Sequence, residues 1–425
     1  MIELLITHPP SYEPERRYIY EVMFGEFLGL TYKTKVGDEP YVTVISVRDD
    51  PSEKRLIVCD ALFAIELDKW LTEDSLPRQQ LDRWILPHTL CDMPKVSSEI
   101  PVIYGRSIEG DSYYAERDGN ILLGLDVFGS VFFMLTRYEE VVKSDRDEHR
   151  RFPAAASLAY QEGFLERPIV NEYVEILWGC MKQLWPYLQR KSHCYQLHLT
   201  HDVDYPRAVA GKPWHFVFRD SLADVVKRKD VGLACRRIHA RRLASQGNFA
   251  RDPYNTFDLL MDISERHAIN SAFYFTAHES CDRLDSDYSI QDLWIRKLLV
   301  RISEHGHEIG FHGSYHSYNN RMQVAEEVER FRQVLREEGI DQDILGGRQH
   351  YLRWECPTTW DIWDQLGMDY DSTLGFADCV GFRCGTCYEY PVFDLVERQS
   401  LNLRERPLIV MERSLMSAQF AGLFL

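Results

Sequence analysis

Long hydrophobic runs are missing from this chain of 425 residues. The longest, ILLGLDVFGSVFFML at 121–135, is broken by Asp126 and falls short of the roughly 20 residues a membrane-spanning helix needs. Positive charge is scarce as well. The 49 Lys and Arg face 66 Asp and Glu, a net charge of −17, which argues against nonspecific nucleic-acid binding by the whole surface. The first residues, MIELLITHPPSYEPERR, lack a basic start, a long apolar centre and a small-residue cleavage site, so no secretory signal is expected and the expected address is the cytoplasm. The ten cysteines are scattered, which at this length and address argues for reduced thiols. Their one cluster, Cys379, Cys384 and Cys387 in CVGFRCGTC, offers no local fourth ligand for zinc and reads as small buried thiols.

What is present fits a globular protein of two or three domains, with 45% hydrophobic and 12% aromatic residues. Residues 1–190 read as one α/β unit: YIYEVMFGEFLGL is helical in period, YVTVISV and RLIVCDALFAI read as strands, and PIVNEYVEILWGCMKQLWPYLQRK is a long amphipathic helix. A break follows near Lys191. From there, short apolar strands (YQLHLT, NSAFYFTA, HEIGFH, DILGG, MDYDS, PLIVME) alternate with helical stretches such as TFDLLMDISERH and MQVAEEVERFRQVLREEG. Such alternation predicts parallel strands covered by helices, in an open sheet or a barrel. Within it, residues 205–252 form a basic island of eleven Lys or Arg against four Asp. Its interleaved Trp214, Phe216, Phe218, Val225, Leu233 and Ile238 suggest amphipathic helices that could meet anionic lipid or a phosphorylated sugar carrier; a solvated helical face is the plainer alternative.

In parallel α/β folds the working residues lie where strands end. LHLTHDVDYP, at 197–206, places Asp202 and Asp204 two apart at such an end, where they can point the same way. That suits a metal ligand beside a general base, and equally a solvated turn. GHEIGFHGSYHSYNN places His312 and His316 four apart, a spacing that brings two imidazoles to one cation if the segment turns helically after its strand. Together the two strand ends supply three ligands and one acid left over, the composition of a catalytic metal site.

THDVD and FHGSYHS resemble the first two motifs of the polysaccharide deacetylase superfamily, metal-dependent carbohydrate esterases of the NodB-homology type. The resemblance covers roughly residues 195–415 and is closest to a subgroup with an Asp-x-Asp first motif and a long N-terminal domain. It implies a distorted, incomplete (β/α) barrel over 191–425, preceded by a separate α/β domain. It also implies a divalent cation, zinc first, with cobalt, nickel or manganese as alternatives. Carried over, Asp204, His312 and His316 would hold the metal and Asp202 would be the general base. Arg348 in GGRQHYLRW would orient that base, although His350 stands where the family has Pro. Asp371 in DYDSTLGF and Arg383 in GFRCGT would contact substrate, although a strand cap for Asp371 and an internal acid for Arg383 are the plainer alternatives.

The resemblance stops before the family's last motif, whose His protonates the leaving amine. No histidine follows His350, and the apolar ending SAQFAGLFL after PLIVMER suggests a chain cut short. His350 is the candidate substitute acid. The resemblance implies removal of an N-acetyl group from a sugar in bacterial surface-polysaccharide synthesis, in the cytoplasm or at the inner membrane surface. A carbohydrate-binding module weakened in catalysis, or a hydrolase of non-sugar C–N bonds, are the alternatives.

Overall fold

The computed structural model describes residues 2–87, 90, 96–209, 212–278 and 284–415. The chain divides into two compact units, one of residues 1–194 and 351–425, the other of residues 195–350. The division after Cys194 lies close to the break expected near Lys191. Residues 351–425, expected to complete a barrel, belong instead to the first unit. The described residues form mixed α/β units with parallel strands, and no closed barrel is found among them. No helix among them is long and apolar enough to cross a membrane.

The first unit is built on a six-stranded sheet in the order β2-β1-β3-β4-β8-β7. Its strands are β1 (Glu3–His8), β2 (Thr31–Val36), β3 (Val42–Val47), β4 (Leu56–Cys59), β7 (Tyr114–Arg117) and β8 (Asn120–Leu123), while β5 (Arg83–Ile85) and β6 (Glu99–Pro101) form a small ribbon. Strand β1 buries Leu4, Ile6 and His8 on alternate positions, the period-two pattern of a sheet with one packed face. Helix α1 (Glu13–Tyr20), α2 (Val127–Leu135) and α3 (Ile169–Leu184) carry the covering apolar surface. The Asp126 that interrupts the longest apolar run is the N-cap of α2, accepting from Gly129 N at 2.8 Å.

The second unit contains four parallel neighbours in the order β12-β11-β10-β9: β9 (Thr200–Val203), β10 (Ala272–Thr276), β11 (Glu308–Gly313) and β12 (Gly346–Gln349). Every residue of β10 is buried, as expected of a parallel strand covered on both faces. Helices α4 (Trp214–Val226), α5 (Val231–Ala244) and α6 (Phe257–Arg266) lie between β9 and β10, α7 (Leu293–Glu304) between β10 and β11, and α8 (Arg321–Glu337) between β11 and β12. Asn320 caps α8 by accepting from Gln323 N, and Val324, Val328, Phe331 and Leu335 fall on its buried face.

The chain then returns to the first unit with α9 (Thr358–Gln365), β13 (Tyr370–Asp371), β14 (Tyr390–Asp394) and β15 (Gln399–Glu405). This return is fastened by polar contacts. Tyr18 donates to Pro391 O at 2.9 Å, and Arg398 makes a forked pair with Glu15 at 2.6 and 2.9 Å.

Three expected strands shift. In YQLHLT only Thr200 is in β9, and Tyr195 and Leu197 are exposed. DILGG yields to β12 from Gly346 onward. PLIVME forms no strand; β15 precedes it. The ending SAQFAGLFL, on which the expected truncation rests, lies outside the described residues. Cys379 and Cys384 are buried free thiols, and Cys387 is exposed.

Candidate metal centre

Register and alternation assemble the centre. Asp202 on β9 neighbours Tyr274 on β10, which neighbours Gly310 on β11. Two residues further on, Thr276 neighbours His312, which neighbours Arg348 on β12. Because side chains alternate between faces, Asp202, Tyr274, Gly310, His312 and Arg348 share one face. Asp204 and His350 continue the same parity just past the carboxyl ends of β9 and β12. A sequence separation of nearly 150 residues is thereby closed at one sheet edge.

Three donor atoms meet there. His312 Nε2 lies 2.9 Å from His350 Nδ1 and 3.3 Å from Asp204 Oδ1, and His350 Nδ1 lies 3.5 Å from the same oxygen. Among the described residues this is the group of acids, histidines and cysteines close enough to share an ion. The other nitrogen of each ring is committed: His312 Nδ1 donates to Arg348 O and His350 Nε2 donates to Leu284 O, both at 2.8 Å. A carbonyl can only accept, so the facing nitrogens of the neutral rings both present lone pairs. Two lone pairs at 2.9 Å, with a carboxylate oxygen beside them, repel unless a proton or a cation lies between. Asp204 Oδ1 is buried without a hydrogen-bond partner of good geometry.

The arrangement fits a divalent cation. Zinc–nitrogen distances of about 2.0–2.1 Å in a tetrahedron correspond to donor separations of about 3.3 Å, close to the three observed. Backbone carbonyls fixing the tautomer are the usual support of metal-bound imidazoles. His312 and His350 are buried, whereas the Asp204 side chain is 31% exposed, which leaves the carboxylate side open. Without a cation the site shares a proton unequally. Burial pushes His312 down, but Asp202 and Asp204 raise it above its ordinary value, whereas burial and then the His312 charge hold His350 below its own. Burial pushes Asp204 up, yet His312 and His350 bring it below the ordinary carboxylate range.

Beside the trio, Arg348 Nη1 donates to Asp202 Oδ1 at 2.7 Å and Nη2 to Thr200 Oγ1 at 3.0 Å. Its guanidinium lies 5.1 Å from the centroid of the Tyr274 ring. The ring in turn lies over Gly310, where a Cβ would come within 2.4 Å of Tyr274 Cδ1. Arg348 thus holds Asp202 with its side chain and His312 with its carbonyl.

Not every expected residue joins this group. His316, expected as the third ligand, lies outside it; residues 315–319 form turns rather than a helix, and the exposed imidazole meets Tyr315 edge-on at 4.9 Å. His350, expected as the acid, takes the third place. Asp371 and Arg383, which the resemblance would place against a substrate, are both buried. Asp371 is buried and accepts from Thr373 N at 3.0 Å in a local turn. Arg383 is 2% exposed and forks onto Glu140 at 2.9 and 2.6 Å within the first unit.

Sequence reasoning missed a supporting cluster. Glu327 of α8 accepts from Ser314 Oγ at 2.5 Å and Ser314 N at 3.1 Å and pairs with His278 Nδ1 at 3.1 Å. Asp285 accepts from Tyr315 N at 2.7 Å. Hydrogen bonding to Glu327 is the main reason the His278 pKa is raised, against burial. The parity of His278, two residues past Thr276, was the available signal. A separate cleft of about 550 Å³ in the first unit is lined by Glu139, Lys143 and Leu158 among others. There Glu139 pairs with Lys143 at 3.2 Å and accepts from Leu158 N at 2.9 Å.

The family described as "Family of unknown function (DUF7033)" matches residues 4–186. No curated protein matches the chain. Among solved structures, a candidate polysaccharide deacetylase from Mycobacterium smegmatis is similar at 16% identity, over 50% of this chain and 57% of that one, with a TM-score of 0.29. The chain thus spans little more than half the length of that structure, and a likeness this slight carries no argument about fold or activity.

Proposed function

We propose that this protein is a metal-dependent hydrolase that removes an N-acetyl group from a sugar of a surface polysaccharide or its precursor. The observation that carries the hydrolytic part is the pair of facing imidazole lone pairs beside Asp204, with Asp202 held next to them by Arg348. Asp204, His312 and His350 would hold the cation, and a nitrogen-rich set of this kind suits zinc first. Such a cation supplies Lewis acidity, making water a competent nucleophile near neutral pH and polarising a carbonyl.

The remaining roles fall to the chain itself. Asp202 accepts the proton that water gives up, and its carboxylate is fixed for that task by Arg348 Nη1. Arg348 keeps one geometry because Thr200 Oγ1 and the Tyr274 ring hold it from two sides. His350, with one nitrogen in the trio and the other on Leu284 O, has no atom left to protonate a leaving amine. The sugar and the acetyl group rest on the resemblance of THDVD and FHGSYHS.

Acetate release from N-acetylglucosamine oligomers and nucleotide sugars by zinc-loaded protein tests the proposal. Asp202→Asn should keep zinc and lose about a hundred- to ten-thousand-fold in rate, while Asp204→Asn should lose the zinc. A zinc-loaded protein that releases no acetate from any of these sugars contradicts the sugar-deacetylase function, and equal zinc loss in both variants contradicts the roles given to the two acids.

A further inference from the structure

Helix α4 of the α4–α5 hairpin departs from an ordinary surface helix. A helix on a water-soluble surface places its apolar stripe inward. The inward face of α4 instead carries Val217, Ser221 and Asp224, with Asp224 fully buried and paired to Arg237 of α5 at 2.8 Å. Outward, at spacings of four, four and three, stand Trp214, Phe218, Leu222 and Val225, which are 41%, 55%, 63% and 40% exposed. These spacings put all four on one stripe. Trp214 and Phe218 stack at 5.7 Å between centroids, so the stripe is a continuous apolar ridge.

Cations frame this ridge. Residues 214–244 hold eight Lys or Arg and three Asp, a difference of +5, in a chain whose net charge is −17. Lys227 and Lys229 lie exposed at the turn between the helices and Arg242 is exposed on α5, while Arg241 lies 5.2 Å from the Trp214 ring. An apolar ridge needs an apolar phase, and its basic surround needs anions next to that phase.

We propose that this hairpin docks on an anionic lipid surface, the ridge entering the headgroup boundary and the Lys and Arg side chains meeting lipid phosphates. A second copy of the same face would bring +5 against +5, and a nucleic acid offers the ridge nothing apolar to enter. The inference does not rest on the metal centre: it places the protein against a membrane whatever its activity.

Co-sedimentation of the full chain with vesicles of phosphatidylcholine, with and without phosphatidylglycerol, tests it. Binding is expected at low salt with phosphatidylglycerol alone and should weaken as the Debye length shrinks from about 30 Å at 0.01 M to about 8 Å at 0.15 M. Phe218→Ser with Leu222→Ser should abolish sedimentation while leaving circular dichroism and thermal melting unchanged, because both side chains are exposed. Lys227→Gln with Lys229→Gln and Arg242→Gln leaves the ridge intact and should weaken binding by about fivefold per cation removed. Failure to bind phosphatidylglycerol vesicles at low salt overturns the proposal. So does binding that is indifferent to the anionic lipid, that survives loss of the ridge, or that is replaced by a dimer which the ridge substitutions dissociate.

Discussion

Glu140→Gln should cost the first unit far more stability than its conservative shape suggests. Glu140 accepts from Arg383 Nε and Nη2 at 2.9 and 2.6 Å and from Arg137 Nε at 2.9 Å, and all three side chains are 1–2% exposed. Lys143 and Arg137 also share Glu139. Glutamine at 140 leaves three cations around one carboxylate, whereas Arg383→Met leaves two cations and two carboxylates. Removing one partner of a buried pair typically costs roughly 3–5 kcal/mol when it strands a charge, which in a body of this size lowers Tm by roughly 6–20 °C. Arg383→Met, which strands none, should cost roughly 1–3 kcal/mol from lost hydrogen bonds. The double variant should cost less than the sum of the two by about 0.5–3 kcal/mol. Denaturant titrations followed by tryptophan fluorescence measure the cycle, since Arg383 lies 5.7 Å from the Trp354 ring. Burial pushes the Glu140 carboxyl up, but Arg383 and Arg137 hold it below its ordinary value of 4.5. The Glu140 contribution is therefore fully present above pH 4.5 and fades as pH falls toward the folded value. A Glu140→Gln cost below about 1 kcal/mol, or a strictly additive cycle, would refute the stranded-charge argument.

Two further outcomes follow from the centre. Because the two carboxylates raise His312 above its ordinary value of 6.5, a cation must displace a proton there; zinc affinity should rise about tenfold per pH unit up to and beyond pH 6.5, and a flat chelator-competition profile below that pH would contradict this. Gly310→Ala must push the Tyr274 ring, with a Cβ 2.4 Å from its Cδ1; stability should fall by about 1–3 kcal/mol and hydrolysis should slow with zinc content unchanged, whereas unchanged turnover would show that the ring does not position Arg348.

What was legible in the sequence was local. The periodicity of residues 169–184 and 321–337 marks helices that form as expected, and the apolar stretch at 272–276 is a buried strand. Asp202, Asp204 and His312 stood out only in combination, because the acid pair alone suits a solvated turn equally well. The third member of the trio was not legible. An i, i+4 spacing pointed to His316, but that spacing brings side chains together only on a helix, and His312 sits within β11 while the next residues turn. His350 reaches the trio through parallel pairing of β11 with β12, a register that no local pattern encodes. The return of residues 351–425 to the first unit depends on pairs such as Glu15 with Arg398 and Glu140 with Arg383, each separated by more than 240 residues. Charge alone does not announce its distant partner: an internal acid was the plainer reading of Arg383, but nothing in the sequence named Glu140 as that acid.

Zinc binding by the unsubstituted protein, His350→Ala and His316→Ala, measured by elemental analysis and chelator competition, tests the centre most directly. One zinc per chain is expected in the unsubstituted protein and in His316→Ala, with affinity in His350→Ala lower by orders of magnitude. Zinc retained by His350→Ala and lost by His316→Ala would contradict the centre described here.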